Sequence, residues 1–199
     1  MIGRMMVLEF GREKRTALLK IGLSFIVVIG AGLGGYAGFA LAMLLVFTGL
    51  IGAGMSIVKL KTSGMYDRLI ASPVRKSDLF LEIAAAQTAI LLIQYLPAIG
   101  AAVFFTSAGL IFPAVLSLLL VVVIGIIIGI ASSGLGSMHL NATLAVLPLL
   151  VAVVIPVRAA RILPFQAIVS PGLTLPEVLL PVVSLIAMYC ILVTLVSRL

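Results

Sequence analysis

Residues 59–82 read KLKTSGMYDRLIASPVRKSDLFLE and form the only long polar segment in the interior of the chain. The block before it, 21–58, and the block after it, 83–157, contain no Asp, Glu, Lys or Arg. Five of the 13 Lys and Arg residues lie inside the segment: Lys59, Lys61, Arg68, Arg75 and Lys76. Because loops rich in Lys and Arg stay on the cytoplasmic side of a membrane, the pattern predicts a cytosolic loop between two membrane-embedded regions.

The composition is typical of a polytopic membrane protein. Hydrophobic residues make up 63% of the 199 residues and charged residues only 10%, which is more apolar surface than a soluble domain can bury. The net charge of +7 does not indicate nucleic-acid binding, because the basic residues lie at the edges of apolar segments, where they can contact anionic headgroups. The single cysteine, Cys190, excludes an intrachain disulfide. The predicted fold class is all-α, in one transmembrane domain.

Six transmembrane helices account for the apolar sequence. A span needs about 20 residues, so the first block holds two spans and the second holds three. Chain breaks are predicted at Gly30–Gly35, Thr106–Pro113 and Ser132–Asn141. The predicted spans are 17–34, 38–57, 83–105, 112–131, 142–157 and 177–197.

Two further segments are predicted to lie at the membrane surface. Residues 4–16 place polar and apolar side chains on opposite helical faces, which is typical of an amphipathic interfacial helix. Residues 158–176 are apolar but interrupted by proline, which favours a re-entrant or interfacial segment on the outer side.

The distribution of basic residues predicts the orientation. With the N-terminus inside, the cytosolic side collects five basic residues from the N-terminal region, five from 59–82 and Arg198, which makes eleven. Only Arg158 and Arg161 then lie outside. Both termini are therefore predicted to be cytoplasmic.

A short helix is predicted inside the 59–82 loop. Its apolar side chains share one face at helical spacing: Met65, Tyr66, Leu69 and Ile70. Ser72–Pro73 should end it, because proline disfavours helical geometry in the residue before it. Ser77 is placed to cap the third span. Such an apolar face needs either the bilayer surface or a soluble partner to cover it, and we favour the partner.

Several kinds of chemistry have no residues to support them. No ionisable residue lies mid-span, which disfavours an ion-coupled carrier, and neither an HExxH motif nor a Walker A loop is present. Ser137 and His139 are predicted to share a glycine-rich loop without a third group to orient the histidine. Gln87 and Gln94 are predicted to make interhelical hydrogen bonds, with a polar translocation strip as the alternative. Gly125 and Gly129 are predicted to mark close helix packing.

Residues 64–80, GMYDRLIASPVRKSDLF, resemble the cytosolic loop of ABC-2 type transporter permeases. In that family a loop after the second span reads roughly Gly-Thr-x-x-x-Leu-x-x-(Ser/Thr)-Pro-Val and leads into the third. Leu69, Ser72, Pro73 and Val74 match the pattern, whereas Met65 stands where threonine is usual. The predicted interfacial helix, the six spans, the inside termini and the proline-rich segment before the last span are also similar.

The resemblance implies the membrane subunit of an exporter in a prokaryotic cell membrane. A coupling helix at about 63–71 would dock on a separate ATPase subunit, which would bind ATP and Mg²⁺, so that this chain needs no cofactor and is not itself an enzyme. We expect Leu69→Asp to abolish coupled ATP hydrolysis and to leave membrane insertion intact.

Two permease copies or paralogues would pair, with the second and fifth spans facing the pathway. By the same resemblance its lining would be apolar and suit a hydrophobic or amphipathic cargo: Met43, Phe47, Met55, Leu147 and Leu150.

Two other functions remain open at this point. A non-transporting scaffold or assembly protein could use loop 59–82 to recruit a cytosolic partner. A passive channel or ion-coupled carrier is the other, and the missing mid-span charges count against it.

Overall fold

The computed structural model of the chain describes residues 14–71, 73, 75–154, 168–169, 182–184, 186–192 and 194, with only the backbone of residues 14, 148 and 150–154. Within these residues the structure is all-helical and contains no strand. The helices are α1 (Lys14–Leu33), α2 (Ala37–Thr62), α3 (Met65–Ile70), α4 (Lys76–Phe105), α5 (Ile111–Ala131) and α6 (Leu135–Val154). A 3₁₀ turn, Ala108–Leu110, precedes α5. Helical residues at 182–184, 186–192 and 194 fall within the predicted sixth span.

Four segments of the described chain are long and apolar enough to cross a membrane: Arg15–Leu33, Ala37–Thr62, Lys76–Phe105 and Ala108–Ala131. In hydrocarbon every backbone N–H and C=O must find a partner within the protein, and an α-helix supplies these hydrogen bonds within itself. Uncharged runs of this length therefore fold as helices, and the chain is membrane-embedded. The 30 residues of α4 extend about 45 Å at 1.5 Å per residue, which is long enough to cross the hydrocarbon core and leave its charged first turns outside it.

The turns between helices use glycine where the backbone requires it. The amide of Tyr36 bonds the carbonyl of Ala31, and the amide of Gly35 bonds that of Gly32, in the pattern of a Schellman motif. Gly35 takes the left-handed conformation that this motif needs, with φ 81°. The predicted Gly30–Gly35 break is therefore shorter than expected, because α1 continues through Leu33.

Helix α2 is the centre of the bundle and contacts each of the other helices, α5 most extensively. Glycines allow this approach. A Cβ on Gly125 would lie 2.6 Å from the carbonyl oxygen of Leu50, and one on Gly129 would lie 2.7 Å from Cβ of Ile57. The predicted close packing at Gly125 and Gly129 is thus confirmed, and its partner is α2.

The helix order gives the bundle two distinct ends. At one end, the end of α2 meets the end of α5, where the Lys61 ammonium bonds carbonyls of Ile130 and Ser132. At the other end, Gly32 of α1 contacts the ring of Phe105, and Gly38 of α2 contacts the backbone of buried Ile168. The basic residues of 59–82 and the start of α1 share the first end, which we call the basic end.

Three further predictions about helix boundaries are wrong. The break at Thr106–Pro113 covers only 106–110, because α5 begins at Ile111. The break at Ser132–Asn141 covers only 132–134, so Ser137 and His139 lie on α6 and not in a loop. Ser137 accepts a hydrogen bond from the amide of Gly134 at 3.0 Å and so satisfies a free donor at the helix start. Ser77 does not cap α4. The helix begins at Lys76 with no side-chain cap, and the Ser77 hydroxyl bonds Asp78.

Candidate functional site

Helix α3 lies at the basic end, in the connection between α2 and α4. Gly64 precedes it in the left-handed conformation, φ 68°, which turns the chain sharply out of α2. The helix ends at Ile70, where the amide of Ala71 bonds the carbonyl of Asp67 at 2.9 Å. Pro73 follows and is exposed. Ser72 and Val74, the other two residues of the predicted stop signal, lie outside the described residues.

The apolar face of α3 packs on the chain itself. Tyr66 is 8% exposed and belongs to the core. Its ring meets the Phe80 ring of α4 edge to face, with the centroids 6.3 Å apart. Leu69 and Ile70 are half-buried against the same core. The bundle therefore covers much of the face that the sequence predicted for a partner: Tyr66 fully, and Leu69 and Ile70 in part.

The opposite face of α3 is charged. Asp67 and Arg68 are exposed, and Met65 is half-buried at the start of the helix. On the surface of α3 that faces away from the bundle, these two charged side chains are therefore more exposed than the apolar ones. The proposed test with Leu69→Asp is consequently not specific, because a carboxylate at 69 would also disturb the packing of this chain.

Burial sets the electrostatics of Tyr66. Removal from water raises the pKa of the Tyr66 phenol, and the negative charge of Asp67 raises it further. The hydroxyl group is buried and has no hydrogen-bond partner in the part of the chain that the structure describes. Tyr66 therefore stays neutral, and its ring is the part that makes contacts.

Lys61 joins α3 to the ends of two spans. Its ammonium lies 5.3 Å from the centroid of the Tyr66 ring. It donates to the carbonyl of Ile130 and, at 2.9 Å, to that of Ser132. The Ser132 hydroxyl in turn accepts a hydrogen bond of 3.1 Å from Asn141 of α6. This set of side chains, Lys61, Tyr66, Phe80, Ser132 and Asn141, is called the junction cluster.

The predicted pathway residues differ in how far the bundle covers them. Met43 and Met55 are half-buried against the core, whereas Phe47 is 40% exposed and Leu147 is 54% exposed. Leu150 lies on α6, and the structure describes only its backbone.

Phe47 sits in an irregular part of α2. Leu45–Gly49 is a π-helical turn, in which the Thr48 hydroxyl bonds the carbonyl of Leu44 at 2.5 Å. A π turn adds a residue to the helix and so re-aims the side chains within it, and such turns are frequent at functional sites.

One polar side chain inside the spans joins two helices. Gln87 of α4 donates to the hydroxyl of Ser56 on α2 at 2.7 Å, which confirms the predicted interhelical hydrogen bond at this position. Among the described residues no three His, Cys, Asp or Glu side chains are grouped so that they could hold a metal ion. His139 is exposed on α6.

Comparison with protein-family models, with curated proteins and with solved structures finds no match to this chain.

Sequence reasoning missed the junction cluster and the π turn. Among the five basic residues of 59–82, Lys61 alone lies one turn before a helix-ending glycine and five residues before a tyrosine. That spacing could have suggested a lysine that folds back over an aromatic ring. Nothing in the sequence marks the π turn.

Proposed function

We propose that this chain is the membrane permease subunit of an ABC-2 type exporter. It would pair with a second permease copy or paralogue and couple to separate ATP-hydrolysing subunits, moving a hydrophobic or amphipathic substrate across a prokaryotic cell membrane. The proposal rests on α3, the short helix in loop 59–82 between α2 and α4. Its inner face packs on the bundle, and its charged face is exposed.

The proposed role of α3 follows from its attachment. A helix that moves with a partner transmits force to the membrane only where it is joined firmly to the spans. Tyr66, Leu69 and Ile70 supply that joint through buried contacts with the core. The partner would then bind the outer face, through Asp67 and Arg68, and ATP with Mg²⁺ would be bound and hydrolysed on the partner.

The cytoplasmic placement of α3 is supported by charge. The two termini and loop 59–82 would lie inside, with eleven basic residues against two outside. An ATPase in the cytosol could reach α3 only in this orientation.

The substrate pathway would run between two permease units. Phe47 and Leu147 are exposed on α2 and α6, the helices that the resemblance assigns to the pathway, and an apolar lining suits an apolar cargo. Met43 and Met55 would contribute less, since both pack against their own chain.

A membrane scaffold is the second candidate, and one observation favours it. Because the bundle itself covers the apolar face of α3, the helix is explained without any motor protein. A scaffold would bind a cytosolic partner through the same charged face but would not change the rate of ATP hydrolysis.

One substitution separates these functions. Arg68→Glu reverses an exposed charge on α3, and Arg15→Glu reverses an exposed charge on α1 as the matched control. The chain is purified together with a candidate ATPase subunit and reconstituted in vesicles, where ATP turnover is measured with candidate lipids and amphiphiles. We expect Arg68→Glu to lower the stimulated turnover at least tenfold and Arg15→Glu to leave it within twofold. Equal turnover for both variants would refute coupling through α3, and association without stimulation would support the scaffold.

A further inference from the structure

Lys61 is a basic residue that contacts two other helices. Arg68 and Arg75 are exposed, whereas Lys61, like Lys76, is half-buried, and it lies in the last turn of α2. Its ammonium reaches across to the carbonyls of Ile130 and Ser132, where α5 ends. The last carbonyls of a helix lack intrahelical partners and carry partial negative charge, so a cation bound there caps the helix.

The same ammonium faces α3. It lies 5.3 Å from the centroid of the Tyr66 ring, within the range of a cation–π interaction. Tyr66 is held in turn against Phe80 of α4. A single charged group therefore contacts α3 on one side and the end of α5 on the other.

Ser132 extends this contact to α6. Its side chain is buried, and its hydroxyl donates to the carbonyl of Ile128 at 2.7 Å. The same hydroxyl accepts a hydrogen bond of 3.1 Å from the side-chain amide of Asn141 on α6. The bonds from Lys61 thus end on the short connection that sets the direction in which α6 leaves α5.

We infer that Lys61 is a positioning residue that transmits displacement of α3 to the α5–α6 connection. This inference rests on the proposed function in one respect: a partner bound to α3 is the source of the displacement. When α3 moves, the Tyr66 ring moves with it, and the ammonium passes the displacement to the two carbonyls because it contacts the ring and the carbonyls at once. Because α6 carries the exposed face that includes Leu147, movement of the 132–134 connection would re-aim one wall of the proposed pathway.

The contact can be tested without any partner. Hydrogen exchange is measured across 128–141 in the full chain in nanodiscs, for the wild type, Lys61→Met, Lys61→Arg and Lys20→Met. Methionine keeps the length of the side chain and removes the charge, and Lys20 is an exposed lysine on α1. We expect exchange near 130–135 to rise about tenfold in Lys61→Met, to change little in Lys61→Arg and not to change in Lys20→Met. Unchanged exchange in Lys61→Met would overturn the inference, whatever the function of the chain.

The second arm uses the complex with the ATPase. We expect Lys61→Met to retain association and basal ATP turnover but to lose most of the stimulated turnover, with Lys61→Arg restoring it. A merely structural role would lower association and stimulation together and would contradict transmission. If no ATPase binds the wild-type chain, the proposed function fails, and the exchange experiment still decides whether Lys61 holds the connection.

Discussion

Tyr66 carries a buried hydroxyl group that has no hydrogen-bond partner in the described part of the chain, while its ring contacts Lys61 and Phe80. An unsatisfied buried polar group costs about 1–3 kcal/mol, whereas a buried aromatic ring stabilises through its contact area. The ring and the hydroxyl of this residue should therefore have opposite effects on stability.

We expect Tyr66→Phe to raise the free energy of unfolding by about 1 kcal/mol and Tyr66→Ala to lower it by about 3–5 kcal/mol, as measured by thermal unfolding in detergent. The pH dependence gives a control. Since burial raises the pKa of Tyr66, the folded state holds its proton more tightly, and stability should fall as pH rises above the unfolded pKa of about 10. Tyr66→Phe should lack that part of the decline. A loss of stability in Tyr66→Phe would show that the hydroxyl has a partner.

Residue patterns in the sequence specify some of these contacts and leave others undetermined. The spacing of Met65, Tyr66, Leu69 and Ile70 correctly indicates a helix with one apolar face. It cannot say whether that face meets a partner or the chain's own core, because the answer depends on where α4 places Phe80. Gln87 was predictable because a buried amide in a span requires a hydrogen-bond partner, whereas the reach of Lys61 to α5 depends on how two distant helices pack.

At the scale of helices, the contact between α2 and α5 depends on atoms that glycine lacks. A Cβ on Gly129 would lie 2.7 Å from Cβ of Ile57 and 2.8 Å from the carbonyl oxygen of Gly54. Backbone atoms cannot move aside as the end of a flexible side chain can, so any larger residue at 129 must separate the two helices.

Gly129→Ala is expected to lower the free energy of unfolding by about 1–3 kcal/mol. Gly100→Ala on α4 is the matched control, because a Cβ there would meet no atom within 4 Å and alanine is the better helix former. The melting temperatures of both variants in the same detergent give the comparison. Equal melting temperatures would mean that α2 and α5 do not approach closely.

The boundaries of these helices were less predictable than their existence. Long uncharged runs predict that a helix forms, since the hydrocarbon core requires every backbone polar group to be hydrogen-bonded within the protein. Where it ends depends on local bonds that composition does not reveal. Ser137 lets α6 begin at Leu135 by bonding the amide of Gly134, and the motif around Gly35 extends α1 through Leu33.

At the scale of the whole molecule, the α1–α2 connection and α3 lie at opposite ends of α2. The connection between α1 and α2 contains exposed Tyr36, and the far end of α2 leads to exposed Arg68 on α3. The 26 residues of α2, which separate the two sites, extend about 39 Å at 1.5 Å per residue, enough to cross the hydrocarbon core. The two positions should therefore lie on opposite sides of the membrane.

Single cysteines introduced at these two positions can show on which side of the membrane each lies. A Cys190→Ser background is used, since Cys190 is itself exposed. A membrane-impermeant maleimide added to intact cells should label Tyr36→Cys, and Arg68→Cys only after permeabilisation. The physical reason is the excess of basic residues near Arg68, which resists transfer across the membrane. Full labelling of both cysteines after permeabilisation is the control for reactivity. Labelling of Arg68→Cys from outside would place α3 where no cytosolic ATPase could reach it, and the exporter proposal would then have to be abandoned.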